Sequence, residues 1–132
     1  YDFLRGSRFL NKGNSINLPK HRYLMIKSMN LILKLLFGIN ITDSTCGFMG
    51  ISLKIFKDCK FDWKAKSLWG YEFEYYMFAK VVYDKRYKWK EVPVSMIYER
   101  NKKKYSKIKP IIDWYHIAVP WFKAKFDKKA FK

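Results

Sequence analysis

A chain of 132 residues with 49% hydrophobic side chains has room for one domain with a modest core, which excludes wholesale disorder. Its 28 Lys and Arg against 11 Asp and Glu leave a net charge of +17, so the expected partners are anionic: nucleic acid, a phosphorylated small molecule or an acidic membrane surface. Cys46 and Cys59 form no CxxC pair and have no His at metal-ligand spacing, which argues against zinc and for a reducing compartment, and no apolar run approaches the ~18–20 residues that span a bilayer.

Tyr1 to Leu4 reads as a short strand, opening without Met as a chain that continues upstream would. Arg5-Gly6-Ser7-Arg8 then reads as a turn carrying two guanidinium groups. Residues 10–19 hold Asn11, Gly13, Asn14, Ser15, Asn17 and Pro19, a surface loop that leads into a helix. From Lys20 to Phe37, Met25, Met29, Ile32 and Leu36 recur at helical spacing, Leu24, Leu31, Leu33 and Leu35 widen the apolar face, and Gly38 supplies a stop. This helix is expected to be mostly buried.

Thr42 to Phe48 packs an acid, hydroxyl and thiol groups and a glycine between two apolar segments, the composition of a turn or of a site loop. Phe48 to Leu53 follows as a short strand, Lys54 to Cys59 as one helical turn, and 60–70 as an irregular basic stretch. A second helix opens at Tyr71 and runs to about Tyr87, with Glu72 and Glu74 at the positive end of its dipole. Lys88 to Tyr98 alternates as a strand whose Pro93 belongs at an edge or a bulge. Glu99 to Lys107 is a basic loop, either solvated or anion-binding. Beyond it Ile108, Ile111, Ile112, Tyr115, Val119 and Phe122 mark one helix face and Trp114, Ile117 and Trp121 another. One face can pack on the domain; the other, ringed by Lys109, Lys123 and Lys125, suits a membrane interface, with a kink at Pro120. The division expected is a body over residues 1–107 and an amphipathic helix with a basic tail over 108–132.

In order, Gly6-Ser7-Arg8, Asp43-Ser44-Thr45-Cys46-Gly47-Phe48, Gly70-Tyr71-Glu72-Phe73-Glu74, Glu91-Val92-Pro93-Val94, and Arg100 with Ser106-Lys107 resemble the C-terminal half of the membrane-acting family 2 glycosyltransferases. The branch is that of dolichol-phosphate mannose synthase and polyprenyl-phosphate glycosyltransferases. The resemblance implies an α/β fold, the C-terminal part of a GT-A type nucleotide-diphospho-sugar transferase, ending in an amphipathic helix. It implies a peripheral enzyme on the cytoplasmic face of a membrane that moves a sugar from a nucleotide-sugar to a polyprenyl or dolichyl phosphate. A divalent cation, Mg or Mn, would be held by carboxylates outside this chain, in an N-terminal half or partner chain. By the same resemblance Asp43 stands at the reaction centre, and Ser7, Arg8, Thr45, Glu72, Arg100, Ser106 and Lys107 bind phosphates or acceptor.

Such residue types fit the chemistry. Glycosyl transfer builds negative charge on the leaving group and positive charge at the anomeric carbon, so guanidinium groups serve one end and a carboxylate the other. A phosphate acceptor is already ionised near neutral pH and needs positioning, whereas a hydroxyl acceptor needs Asp43 or Glu72 as a general base. Two other readings stay open. One is a nucleic-acid-binding module built on Lys102 to Lys104 and exposed aromatics, less favoured because the aromatics sit at helical core spacing. The other is a membrane-surface protein without the chemistry.

Overall fold

The first strand runs farther than its apolar residues foretell. The computed structural model describes residues 1–58, 71–99 and 112–126, and in it β1 spans Phe3–Ser7, so Arg5 and Gly6, expected in a turn, are strand residues. Arg5 and Ser7 are buried, and their polar ends are bonded within the protein, which is what lets them occupy a strand interior. The expected basic stretch 60–70, the loop 100–107 with Arg100, Ser106 and Lys107, the cysteine Cys59 and the tail 127–132 lie outside the described residues.

The chain is mixed α/β. After β1 come β2 (Asn14–Ile16), α1 (Lys20–Phe37), β3 (Met49–Ile51), α2 (Leu53–Lys57), α3 (Tyr71–Tyr83), β4 (Trp89–Pro93), β5 (Ser95–Ile97) and α4 (Ile112–Phe126). One sheet has the order β3-β1-β4; β2 and β5 form a second, parallel pair with Asn14 opposite Ser95, Ser15 opposite Met96 and Ile16 opposite Ile97. The segment expected as a single strand over 88–98 is thus two strands in two sheets. Pro93 has no N–H for a ladder and ends β4 at a sheet edge; the next residue, Val94, donates to the Ser7 carbonyl at 3.0 Å and accepts from the Asn14 N–H at 3.1 Å. The chain changes partners at that residue. Within 10–19, expected as loop throughout, β2 forms because β5 supplies its ladder.

The residues fall into two compact units, the first drawing its described residues from Tyr1–Phe3, Gly50–Trp89 and Ile108–Lys132, the second from Leu4–Met49 and Lys90–Lys107. In the first, α3 is buried continuously from Tyr75 to Val81 and packs along α4. Phe78 is its centre, with ring centroids 5.2 Å from Phe3, 5.2 Å from Trp89 and 5.6 Å from Trp121, the latter two edge-on. Each such pair contributes about 0.5–1.5 kcal/mol beyond simple burial. Along α4, Ile117, Trp121 and Ala124 are buried while Tyr115, Phe122 and Phe126 are exposed, so two faces do differ as their spacing suggests. Helix α3 stops at Tyr83, short of the expected Tyr87, because Asp84 turns the chain: the Tyr87 N–H donates to the Asp84 carbonyl and Asp84 accepts from the Arg86 side chain.

In the second unit α1 has the expected bounds. Pro19, extended at ψ 137°, precedes its first turn, and Gly38 ends it in the left-handed region at φ 68°, donating to the Lys34 carbonyl at 3.0 Å. Lys34 in the last turn meets the negative end of the dipole. The expectation of a mostly buried helix fails. Only Ile26, Met29 and Leu33 of α1 are buried, whereas Leu24, Leu31, Leu35 and Leu36 are more than half exposed. Leucine spacing shows that a face is apolar; whether anything covers it is decided by elements elsewhere in the chain.

Candidate functional site

The site loop after α1 closes on the end of β1 within the second unit. Asp43 is 0% exposed and Arg8 6%, and they meet side by side: Arg8 Nε and Nη2 donate to Oδ2 and Oδ1 of Asp43, each at 2.7 Å, and the Arg8 backbone N–H adds a bond to Oδ2 at 3.1 Å. The fork of the guanidinium matches the carboxylate, giving a two-point charged contact. Arg8 Nη2 also reaches the Thr45 hydroxyl at 2.9 Å, and Nη1 donates to the Tyr98 hydroxyl. Burial by itself would lower the Arg8 pKa, but its hydrogen bonds with Asp43 and that carboxylate's charge outweigh the loss of solvent and hold it above its ordinary value.

Glu91 of β4 holds the other side of the loop. Its carboxylate accepts from the Thr42 N–H at 3.0 Å, the Thr42 hydroxyl at 3.0 Å and the Asp43 N–H at 3.1 Å. Because the Thr42 proton goes to Glu91, the 2.5 Å contact between the Ser7 and Thr42 hydroxyls has Ser7 as donor. Asn30 of α1 clamps the loop from the helix side, donating to the Thr42 carbonyl at 2.7 Å and accepting from the Ser44 N–H at 3.0 Å. Arg5 donates to the Ser44 carbonyl at 2.6 Å. The loop backbone is satisfied almost wholly by side chains, so it needs neither helix nor sheet to stay folded.

Gly6 is where the backbones come closest. Its N–H donates to the Phe48 carbonyl at 2.8 Å, and a Cβ there would stand 3.0 Å from Cys46 Sγ and 3.1 Å from both Phe48 Cβ and Val94 Cγ1. Cys46 is buried as a free thiol whose pKa burial pushes up, only partly offset by a hydrogen bond with the Phe48 backbone, so it is no poised nucleophile. The loop presents Gly47 and Phe48 outward, Phe48 being 63% exposed.

Of the residues singled out from sequence, Ser7, Arg8, Asp43 and Thr45 come together here, and Glu72 stands in the first turn of α3 in the other unit. Asn30, Arg5 and Tyr98 were not foreseen, and Glu91 was seen only as part of a motif. Asn30 had a signal: it is a polar residue between Met29 and Leu33, beside the buried stripe of α1. Chemically, Asp43 has both oxygens bonded inward and no exposed surface, so in this arrangement it orients Arg8 and the loop. Among the described residues no group of three His, Cys, Asp or Glu side chains could hold a metal. Asp43 and Glu91 are committed to a guanidinium and to backbone N–H groups, so this donor set does not fit a resident cation. A separate open cleft of about 630 Å³ in the second unit is lined by Phe9, Leu18, Lys20, Tyr23 and Leu24, among others.

Against known proteins, no family model, no curated protein and no solved structure matches this chain.

Proposed function

We propose that the chain is the acceptor-side portion of a family 2 glycosyltransferase with a GT-A type fold, moving a sugar from a nucleotide-sugar to a polyprenyl phosphate at a membrane surface. The observation that carries this reading is the meeting of three motifs distant in sequence. Arg8 of Gly6-Ser7-Arg8 seats on Asp43 of the Asp43 to Phe48 loop, and Glu91 of Glu91-Val92-Pro93-Val94 holds that loop's backbone.

In this reading Asp43 is not a base. An ionised phosphate acceptor needs no proton removed, so a carboxylate locked against an arginine is tolerable at its centre, whereas a hydroxyl acceptor would require a free one. Asp43 and Arg8 fix the loop that offers Thr45, Gly47 and Phe48 to the acceptor. Positive charge for the lipid phosphate comes from Arg100 and Lys107 with Ser106, and Glu72 is assigned to acceptor binding by the resemblance alone. The nucleotide and its divalent cation belong to an upstream half. The exposed Tyr115, Phe122 and Phe126 of α4, beside Lys123 and Lys125, make it an amphipathic helix for the membrane interface.

The test is sugar transfer by the chain joined to a nucleotide-binding half, with a panel of nucleotide-sugars and a polyprenyl phosphate. Labelled sugar should appear on the lipid, and the chain alone should transfer none. Consumption of no nucleotide-sugar with any lipid or glycan acceptor overturns the reading.

A further inference from the structure

Helix α1 turns a leucine row outward. Leu24, Leu31 and Leu35 are 64%, 55% and 73% exposed, on the side opposite the buried Ile26, Met29 and Leu33. At 3.6 residues per turn the three fall within about 40° of one another, and Lys20, Lys27 and Lys34 form a second row about 60° further round. All three lysines are exposed. Helix α1 contains no Asp or Glu, and neither does any position between Asp2 and Asp43. Leu24 and Lys20 also line the open cleft, so the apolar surface continues past the start of the helix.

An exposed leucine row would be ordinary on a helix with charges of both signs around it. Here one edge is cationic throughout, and the occupant must offer apolar depth next to negative charge along the length of the helix. An anionic bilayer surface does so at every point: leucines enter the acyl boundary while lysine stems lie along it and their ammonium groups reach lipid phosphates. No described helix is long and apolar enough to cross a membrane, so α1 would lie in the plane. Lys27 leans toward the Phe9 and Tyr23 rings, at 4.8 and 5.4 Å, which leaves Lys20 and Lys34 as the main headgroup contacts.

We propose that the outward face of α1 is a docking surface for an anionic lipid bilayer, with Leu24, Leu31 and Leu35 inserted and Lys20 and Lys34 on lipid phosphates. This rests on α1 alone, and it stands or falls apart from the transferase reading.

The experiment is co-sedimentation of the full chain with vesicles of phosphatidylcholine, or of phosphatidylcholine with about one third phosphatidylglycerol. The chain should partition onto the anionic vesicles and come off as salt rises. The double variant Leu31→Ser, Leu35→Ser should bind at least about tenfold more weakly. Lys20→Gln with Lys34→Gln should lose about fivefold per lysine and much of the salt dependence. Circular dichroism should be unchanged, because the replaced side chains are exposed. Failure of the wild-type chain to bind anionic vesicles, or undiminished binding by the leucine variant, overturns the proposal. So does a dimer formed without lipid and abolished by the same variant, which would make the face a protein contact. Vesicle binding through α1 without sugar transfer by the joined enzyme would remove the proposed activity and leave this surface in place.

Discussion

At Asp43 the carboxylate oxygens are turned inward onto Arg8 and Thr45, and that saturation sets what mutation there should do. Asp43→Asn leaves the Arg8 cation buried beside a neutral amide, and breaking a buried pair from one side costs about 3–5 kcal/mol. Urea denaturation should show that loss, and Arg8→Met should show a similar one. The double variant should lose less than the sum, because the second change removes the charge that the first stranded. Cys46 makes a pH prediction. Its folded pKa is raised above the ordinary 9.0 by burial, so its contribution to stability is complete below that value and is lost as pH rises through the folded one. Wild-type stability should therefore fall relative to Cys46→Ala as pH passes 9, measured by urea midpoints across an alkaline series. Asp43 itself was legible in the sequence because an acid among hydroxyls, a thiol and a glycine is a distinctive composition. Asn30 and Tyr98 were not legible in this role, since a side chain that reaches across 12 or 90 residues to its partner leaves no periodic trace.

Elements were most readable where a local rule decides them. Gly38 ends α1 because only a glycine enters the left-handed region at little cost, and nothing lies within 4 Å of a Cβ placed there. Gly38→Ala should therefore cost only its backbone strain, about 1–2 kcal/mol. Gly6→Ala meets Cys46, Phe48 and Val94 at 3.0–3.1 Å and should cost about 1–3 kcal/mol through overpacking, despite a conformation any residue can adopt. Thermal melts should show both variants unfolding below the wild type by several degrees. The split of 88–98 into β4 and β5 was half legible: Pro93 announced an edge, but the change of partner at Val94 depends on Ser7 and Asn14, both remote in sequence. Helix α1 shows the same limit. Its bounds follow from spacing and from Gly38, while the exposure of Leu24, Leu31 and Leu35 depends on what the rest of the chain leaves uncovered.

For the whole molecule, a charge of +17 on a mixed α/β chain points to an anionic partner without naming it. The second unit narrows the choice, because its buried Arg8 is matched by the Asp43 carboxylate and its buried Arg5 by the Ser44 carbonyl, while Lys20, Lys27 and Lys34 of α1 are among the cations that face outward. A phosphate-bearing lipid at a membrane surface fits both the outward lysines and a site loop that holds its carboxylate in an ion pair. The most direct measurement is transfer of labelled sugar to a polyprenyl phosphate by the chain joined to a nucleotide-binding half, wild type against Asp43→Asn, at a temperature where both remain folded. The account predicts transfer by the wild type and a fall of at least about a hundredfold in the variant, as loss of a preorganised charged group produces. Equal transfer by the two proteins, or none by the wild type, would contradict it.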